Sequence, residues 1–303
     1  MVLQNAGLRL QGRLETGPPM LLDGAMGTEL LRRGWDVSLP LWSAAVLQSN
    51  PEAVLDIHQD YVASGAEILT TNTFRTTPRA FFKVMEDEEV ARRRARKLTR
   101  RAVKAAKAAA GNHRFVAGCM APLEDCYKPE LFPGSTVAEK EFSELSGWLV
   151  KEEVDLLLIE TMGSIDEAMC ALKATVDVSI PRWISFILRD NQHLLNGEEL
   201  IDAAKMSVDS GANVFLINCT NLYTSVQALE NLKGEISIPT GIYPNLGKSM
   251  PTAEGTIDEL YTPVEFIEQM KRAIDLGADI IGSCCGSGPD HTTMLGELID
   301  SFS

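Results

Sequence analysis

Short, almost uninterrupted apolar runs alternate along the chain with longer stretches in which apolar residues recur every three or four positions. The runs predict eight β-strands, at Met20–Ala25, Ile68–Thr73, Arg114–Met120, Leu156–Met162, Trp183–Leu188, Asn213–Cys219, Thr240–Tyr243 and Ile280–Cys284. Strands that are apolar on both faces are typical of a parallel sheet whose two faces are covered by helices.

The amphipathic stretches between these runs predict helices bounded by proline or glycine. They are Pro51–Ser64, Thr136–Glu152, Ile165–Val178, Glu198–Ser210, Ser225–Lys233, Pro263–Leu276 and His291–Phe302. Three helices are followed by a glycine, at Gly65, Gly211 and Gly277, and we expect each glycine in the left-handed conformation that ends a helix.

Strands and helices in this alternation predict an α/β fold, a single (β/α)8 TIM barrel that spans residues 1–303 as one domain. No linker rich in proline, glycine or serine divides the chain. A doubly wound open sheet is the alternative, but the glycine-rich turn of dinucleotide-binding sheets is absent after the first strand.

Composition narrows the possible partners. The formal net charge of −14 disfavours a nucleic acid or an anionic membrane surface. No apolar stretch approaches the length of a transmembrane helix, and the first residues lack a signal-peptide pattern. Six cysteines without regular spacing do not indicate a disulfide framework. We therefore expect a cytoplasmic protein.

One basic segment, Arg92–Lys107, runs against the acidic balance. It could bind a polyanion, but a solvated helix face is the favoured interpretation in so acidic a chain. The acidic residues at 86–89 suit the first turn of such a helix.

Three cysteines stand at predicted strand ends, where a barrel places its active site: Cys219 after the sixth run, and Cys284 and Cys285 after the eighth. Three thiols there predict three corners of a zinc tetrahedron with the fourth corner open. Adjacent strand residues face opposite ways, so both can bind one ion only where the backbone turns, which Gly282 and Gly286 permit. Buried packing and a vicinal disulfide are the alternatives.

The remaining cysteines indicate less. Cys170 falls in the middle of a predicted helix and is interpreted as packing. Cys119 ends the third strand and Cys126 lies in the loop after it, so either could line the pocket, although packing is favoured for both.

Three thiolates on Zn²⁺ leave a formal charge of −1, which suits the holding of a substrate thiol as its thiolate better than hydrolysis. None of the four histidines lies at a predicted strand end, so a hydrolase with a histidine base is disfavoured. The chemistry that remains is alkyl transfer to a metal-bound thiol.

Two carboxylates also end strands. Asp23 and Glu160 each follow an apolar run, and a buried acid is costly unless it is paired. A substrate ammonium group would pair with them, whereas internal hydrogen bonds are the alternative. Thr73, Asn218 and Asn245 could hold a substrate carboxylate. A thiol with an amino-acid head group describes homocysteine.

These motifs together resemble the homocysteine S-methyltransferases, zinc-dependent barrel enzymes that make methionine, over nearly the whole chain. The matching segments are Leu22–Leu30, Pro40–Ala44, Asn50–Glu52, Thr70–Phe74, Glu160–Thr161, Asn218–Cys219, Tyr243–Asn245 and Gly282–Gly286. The segments at 40–44 and 50–52 are similar to the branch that uses S-methylmethionine.

The resemblance implies a ligand set and a reaction. Cys219, Cys284 and Cys285 would hold Zn²⁺, and the homocysteine sulfur would take the fourth position. Asp23 and Glu160 would hold the amino group. A second set would line the pocket, namely Thr73, Asn218 and Asn245. The thiolate would attack the methyl group of a small onium donor, which leaves as a neutral thioether without a general acid.

Two departures from the family pattern leave the donor open. They are the loop that follows the third strand, 118–127, and Ser283, where a glycine is usual. S-methylmethionine is the leading donor; S-adenosylmethionine, a betaine or a methyl-corrinoid on a separate protein are the others, and a thiol-binding or zinc-binding module without turnover is the competing class. Trp42, Phe74 and Tyr127 are candidate walls for an onium group, or core residues. The oligomeric state stays open.

Overall fold

Eight parallel strands form one closed sheet in the computed structural model, which describes residues 2–249, 257 and 259–302. The strands are β1 Met20–Leu21, β2 Ile68–Thr70, β3 Phe115–Met120, β4 Leu156–Met162, β5 Arg182–Phe186, β6 Val214–Asn221, β7 Thr240–Asn245 and β8 Ile280–Ile281. β1 pairs with β8, and a parallel bridge between Leu22 and Ile68 joins β1 to β2. The predicted (β/α)8 barrel is therefore confirmed, and an open sheet is excluded.

The strand ends differ from the predicted ones mainly at the mouth of the barrel. β1, β2, β5 and β8 end earlier than predicted. Between β1 and β2 a side chain replaces a backbone acceptor, since the carboxylate of Asp23 accepts the amide of Thr70 at 2.8 Å. β6 and β7 run further than predicted and include Asn221 and Asn245.

Twelve α-helices are described. They are α1 Val2–Thr16, α2 Met26–Arg32, α3 Ser43–Ser49, α4 Pro51–Ala63, α5 Pro78–Met85, α6 Glu88–Ala110, α7 Ser135–Lys151, α8 Ile165–Ala174, α9 Leu200–Asp209, α10 Leu222–Leu232, α11 Pro263–Asp275 and α12 Pro289–Asp300, with a 3-10 helix at Pro129–Leu131. The seven predicted helices correspond to α4 and α7–α12, and Gly65, Gly211 and Gly277 have the expected positive φ. None of the described helices is long and apolar enough to cross a membrane.

The basic segment lies on α6 and faces α7, as the favoured interpretation predicted. Alanines and a leucine bury one side of α6 against the core. On the other side Arg92 pairs with Glu144 at 2.9 Å and Arg100 with Glu152 at 3.5 Å. Acidic side chains next to the helix therefore offset its charge.

Helix α1, which the sequence patterns did not predict, closes the barrel at the end opposite the mouth. Leu10 is 1 % exposed and packs with the barrel interior, which includes Met20, Phe115 and Trp183. Arg9 donates to the carbonyls of Asn112 and Arg114, just before β3 begins. The barrel floor is thus a separate helix rather than a loop.

We expect Leu10→Ala to lower the free energy of unfolding by about 2–5 kcal/mol, because it opens a cavity in the barrel floor. Leu8→Ala on the same helix is the control, since Leu8 is 68 % exposed and should change stability by less than about 0.5 kcal/mol. Urea unfolding of both variants measures the difference, and equal effects would contradict the role given to Leu10.

Candidate active site

A cavity of about 530 Å³ opens at the carboxyl ends of the strands. Its wall comes from the segments that follow β1, β2, β3 and β8 and from the ends of β4, β6 and β7. Metal-binding, acidic, basic and aromatic side chains all reach it: Asp23, Trp42, Phe74, Arg75, Cys119, Cys126, Tyr127, Glu160, Cys219, Tyr243, Ser283, Cys284 and Cys285.

The three cysteines that the sequence singled out converge in this cavity. The Sγ atoms of Cys219, Cys284 and Cys285 all lie within 4.8 Å of one another, and no other such group of metal-binding side chains occurs among the described residues. All three are free thiols, so the vicinal disulfide is not formed. The Sγ atoms of Cys219 and Cys284 are 2.7 Å apart.

The three cysteines can converge only because the backbone departs from regular strand geometry at the end of β6 and after β8. Cys219 has a φ of +49°, and the pairing of β6 with β7 shifts register between Asn218 and Asn221. A left-handed non-glycine residue is costly, so the surroundings must hold it. Asn245 does so: its amide donates to the carbonyl of Cys219 at 2.9 Å and its carbonyl oxygen accepts the amide of Cys285 at 3.1 Å.

The two glycines beside the cysteine pair have different tasks. Gly286 has a φ of +87° and continues the turn after Cys284 and Cys285, as predicted. Gly282 has no left-handed backbone, so the prediction that it permits the turn was wrong. A Cβ on it would lie 2.9 Å from the Cβ of Leu22, so it permits close approach of β8 to β1 instead.

The thiol cluster has the chemistry of a metal site. Hydrogen bonds from Cys219 and Cys284 lower the pKa of Cys285, whereas the hydrogen bond with Cys284 raises the pKa of Cys219. One sulfur is therefore readily ionised while a neighbour resists, and a cation is needed to hold all three as thiolates. Thiolate sulfur without carboxylate suits a thiophilic ion in tetrahedral coordination.

Two buried carboxyls line the same cavity. Desolvation raises the pKa of Asp23 to about 8 and that of Glu160 to about 7. The hydroxyl of Tyr243 donates to Glu160 at 3.2 Å, and neither acid has an ion-pair partner among the described residues. Because burial without a counter-ion disfavours the charged forms, the cavity favours a ligand that brings a positive charge.

A second bulge places Glu160. The pairing of β4 with β5 shifts register between Ile159 and Met162, and Thr161 has a φ of +63°. The side-chain oxygen of Asn218 accepts the amide of Thr161 at 3.0 Å, and its nitrogen donates to the Thr161 hydroxyl at 2.8 Å. Asn218 thereby ties the bulge that carries Glu160 to the strand that carries Cys219.

The three polar residues predicted to hold a substrate carboxylate do not line the cavity. Asn218 and Asn245 lie under its wall and make the bonds just described. Thr73 is fully buried and donates to the carbonyl of Cys119 at 2.7 Å. All three residues therefore form hydrogen bonds that position the wall of the cavity. A contact between any of them and a substrate stays a prediction.

The aromatic candidates and two further cysteines do reach the cavity. Trp42, Phe74 and Tyr127 line it, as do Cys119 and Cys126. In contrast, Cys170 is buried on α8 outside it, as its position in a helical pattern indicated. Sequence reasoning missed Arg75 in the wall, although it directly follows the second-strand motif.

Comparisons with known proteins show which family the chain resembles. The family model described as homocysteine S-methyltransferase matches residues 20–299. The homocysteine S-methyltransferase of Escherichia coli (strain K12) is 30 % identical, over 94 % of this chain and 97 % of that one.

The crystal structure of the homocysteine methyltransferase MmuM from Escherichia coli in its metallated form has a TM-score of 0.82 at 27 % identity. That comparison covers 95 % of this chain and 99 % of MmuM. The apo form of MmuM has a TM-score of 0.75 at 26 % identity, over 95 % of this chain and 99 % of that one. The oxidized form of MmuM has a TM-score of 0.81 at 27 % identity, so the similarity does not single out the metallated form.

We expect Asn245→Ala to weaken metal binding about 10- to 100-fold, because Asn245 fixes the backbones of two ligands. Competition with a chelating dye measures the affinity. Asn213→Ala is the matched control, since Asn213 accepts the amide of Arg182 at the opposite end of the barrel. Unchanged metal affinity in Asn245→Ala would show that the hydrogen bonds of Asn245 are not needed to position the cysteines.

We expect Asp23→Asn to stabilise the metal-free protein above neutral pH. Because the pKa of Asp23 is raised from 3.8 to about 8, the folded state keeps a proton that the unfolded state releases. The free energy of unfolding of the parent protein therefore falls as pH rises through this range, by at most about 1.4 kcal/mol per pH unit, and stays level above it.

Urea unfolding of the parent protein and of Asp23→Asn between the two pKa values of Asp23, 3.8 and about 8, should therefore show that the variant's advantage in free energy of unfolding grows with pH. Asp190→Asn is the control with the opposite sign, because the amide of Gln192 lowers the pKa of Asp190 to about 2. Asp190→Asn should bring no gain at neutral pH. A gain in Asp23→Asn that is the same at every pH would contradict the raised pKa.

Proposed function

Because this chain belongs to the homocysteine S-methyltransferase family, we propose that it transfers a methyl group from a small onium donor to the thiol of homocysteine and forms methionine. The observation that carries this proposal is the placement of three convergent thiols and two buried carboxyls in one cavity. The first group suits a thiol, the second suits an ammonium, and homocysteine has both.

The thiol end of homocysteine belongs at the cysteine cluster. We assign Cys219, Cys284 and Cys285 as ligands of Zn²⁺, which fits three sulfur donors and leaves one position open. A bound zinc ion would lower the pKa of the homocysteine thiol and keep its sulfur electron-rich.

The amino end of homocysteine belongs at Asp23 and Glu160. Both carboxyls are almost fully buried, and an ammonium group between them would favour their ionised forms. Attachment at sulfur and at nitrogen fixes the orientation of the acceptor. Its sulfur is then held toward the rest of the cavity, where a second substrate can enter.

The donor belongs against the aromatic wall formed by Trp42, Phe74 and Tyr127, because aromatic rings attract a sulfonium. In the transfer a bond forms between the homocysteine sulfur and the methyl carbon. The bond from that carbon to the donor sulfur breaks, and its electron pair stays on the donor, which leaves as a neutral thioether. No protein group needs to give a proton. S-methylmethionine is the leading donor and S-adenosylmethionine the second.

Methionine formation from homocysteine tests the proposal, with each onium donor offered separately to the zinc-loaded protein. We expect turnover with S-methylmethionine. We expect Cys219→Ala to lose most of its zinc and at least about 100-fold in activity, because two thiols and a solvent ligand hold zinc weakly. Cys170→Ala is the matched control and should keep both.

Two results would contradict the proposal. Full zinc and full activity in Cys219→Ala would show that the three thiols are not the metal site. A zinc-loaded protein that binds homocysteine and turns over neither onium donor would favour a methyl-corrinoid partner protein or a binding module.

A further inference from the structure

Arg75 is a buried cation in the wall of the cavity, and neither the metal site nor the carboxyl pair uses it. It lies in the segment after β2, next to Phe74, and is 8 % exposed. Its guanidinium lies 5.2 Å from the ring centroid of Phe74, which is also in the wall. The side chain is therefore held beside an aromatic face rather than extended into solvent.

The hydrogen bonds of Arg75 use only one of its nitrogens. Nη1 donates to the carbonyl of Pro122 at 3.2 Å and to the carbonyl of Glu124. Among the described residues, Nε and Nη2 have no hydrogen-bond acceptor. These two atoms form one edge of the planar guanidinium, the edge that matches the two oxygens of a carboxylate.

The acids around Arg75 are engaged with other groups. The carboxylate of Glu124 pairs with Arg79 and Lys83, and that of Glu167 accepts the amide of Leu123 at 2.8 Å. Asp125, the third acid nearby, accepts the amide of Tyr127 at 3.1 Å. No carboxylate of the described residues lies within ion-pair distance of Arg75. A charge buried without a counter-ion is costly, so this one needs an anion from outside the chain.

We infer that Arg75 binds the carboxylate of an amino-acid substrate through its free Nε and Nη2 edge. The inference rests on the proposed function, since both homocysteine and S-methylmethionine carry an α-carboxylate beside the group that reacts. It also completes the complementarity of the cavity: carboxyls for the substrate ammonium, thiols for the metal and a guanidinium for the substrate carboxylate. The residues that the sequence suggested for this last task lie under the wall instead.

Arg75 also holds the loop after β3 through the carbonyls of Pro122 and Glu124, so a variant could act by loosening that loop. Arg79→Gln separates the two effects. Arg79 pairs with Glu124 at 3.0 Å and with Glu141 at 2.6 Å, and it does not line the cavity. The Arg79→Gln variant therefore disturbs the same loop but removes no charge from the cavity.

Calorimetric binding to the zinc-loaded protein tests the inference with two pairs of ligands. The acceptor pair is homocysteine and aminopropanethiol, which lacks the carboxylate. The donor pair is S-methylmethionine and aminopropyl-dimethylsulfonium, which lacks it too. In Arg75→Gln we expect one carboxylate-bearing ligand to bind about 10- to 100-fold more weakly, while its decarboxylated partner is unchanged. The pair that responds identifies the substrate whose carboxylate Arg75 holds.

Arg75→Lys is the control for misfolding, because it keeps the charge and loses only the two-pronged geometry. We expect it to lose less affinity for the carboxylate-bearing ligand than Arg75→Gln does. The inference is overturned if Arg75→Gln keeps the carboxylate preference of the parent for both pairs, or if Arg79→Gln loses it equally. It is also overturned if the parent protein prefers neither carboxylate-bearing ligand. Failure of the proposed function would show differently, as absent methionine formation whatever the binding preferences are.

Discussion

Three thiols can meet at one point only if two strands of the barrel abandon regular geometry, and much of the site depends on this constraint. In a regular strand Cys284 and Cys285 would face opposite sides. The turn through Gly286 brings them together, and the left-handed backbone of Cys219 brings the third sulfur across from β6. Asn245 then joins the two elements by bonding the backbone of each.

A matching distortion in β4 serves the carboxyl side of the cavity. Its bulge at Thr161 places Glu160, and Asn218 connects that bulge to β6. The cysteine cluster and the acid are thus fixed relative to each other by buried amide side chains, each of which bonds through both its oxygen and its nitrogen. The energetic consequence is that local backbone strain is concentrated where substrates would bind.

The cavity also brings together several ionisable groups. Three thiols, two carboxyls whose pKa values are raised and one guanidinium without a carboxylate partner lie in it, and burial disfavours the charged form of each. None of these groups has a full partner within the described chain. The partners that we propose for them are a metal ion, an ammonium and a carboxylate, which an amino-acid thiol held at a metal would supply together.

Most of the fold followed from the sequence alone, because parallel strands and their covering helices leave a strong local pattern. β4 has the predicted bounds and β3 differs by one residue, whereas β1 and β8 were predicted too long. Beyond β1 the side chain of Asp23 takes the place of a backbone acceptor for Thr70. Helices α1, α2, α3 and α5 were missed. α2, α3 and α5 are short. α1 packs against the floor of the barrel, and this surface exists only after the barrel has folded.

For the site, the sequence by itself determined which residue types stand at the strand ends: the cysteines, Asp23 and Glu160. Chain order places them there, because the carboxyl ends of all the strands share one rim. Only the tertiary structure decided which polar groups face the cavity and which lie under it. Asn218, Asn245 and Thr73 are committed to neighbours remote in the chain, and Arg75 is left without a counter-ion. Such pairings depend on distances between different strands, which no local pattern encodes.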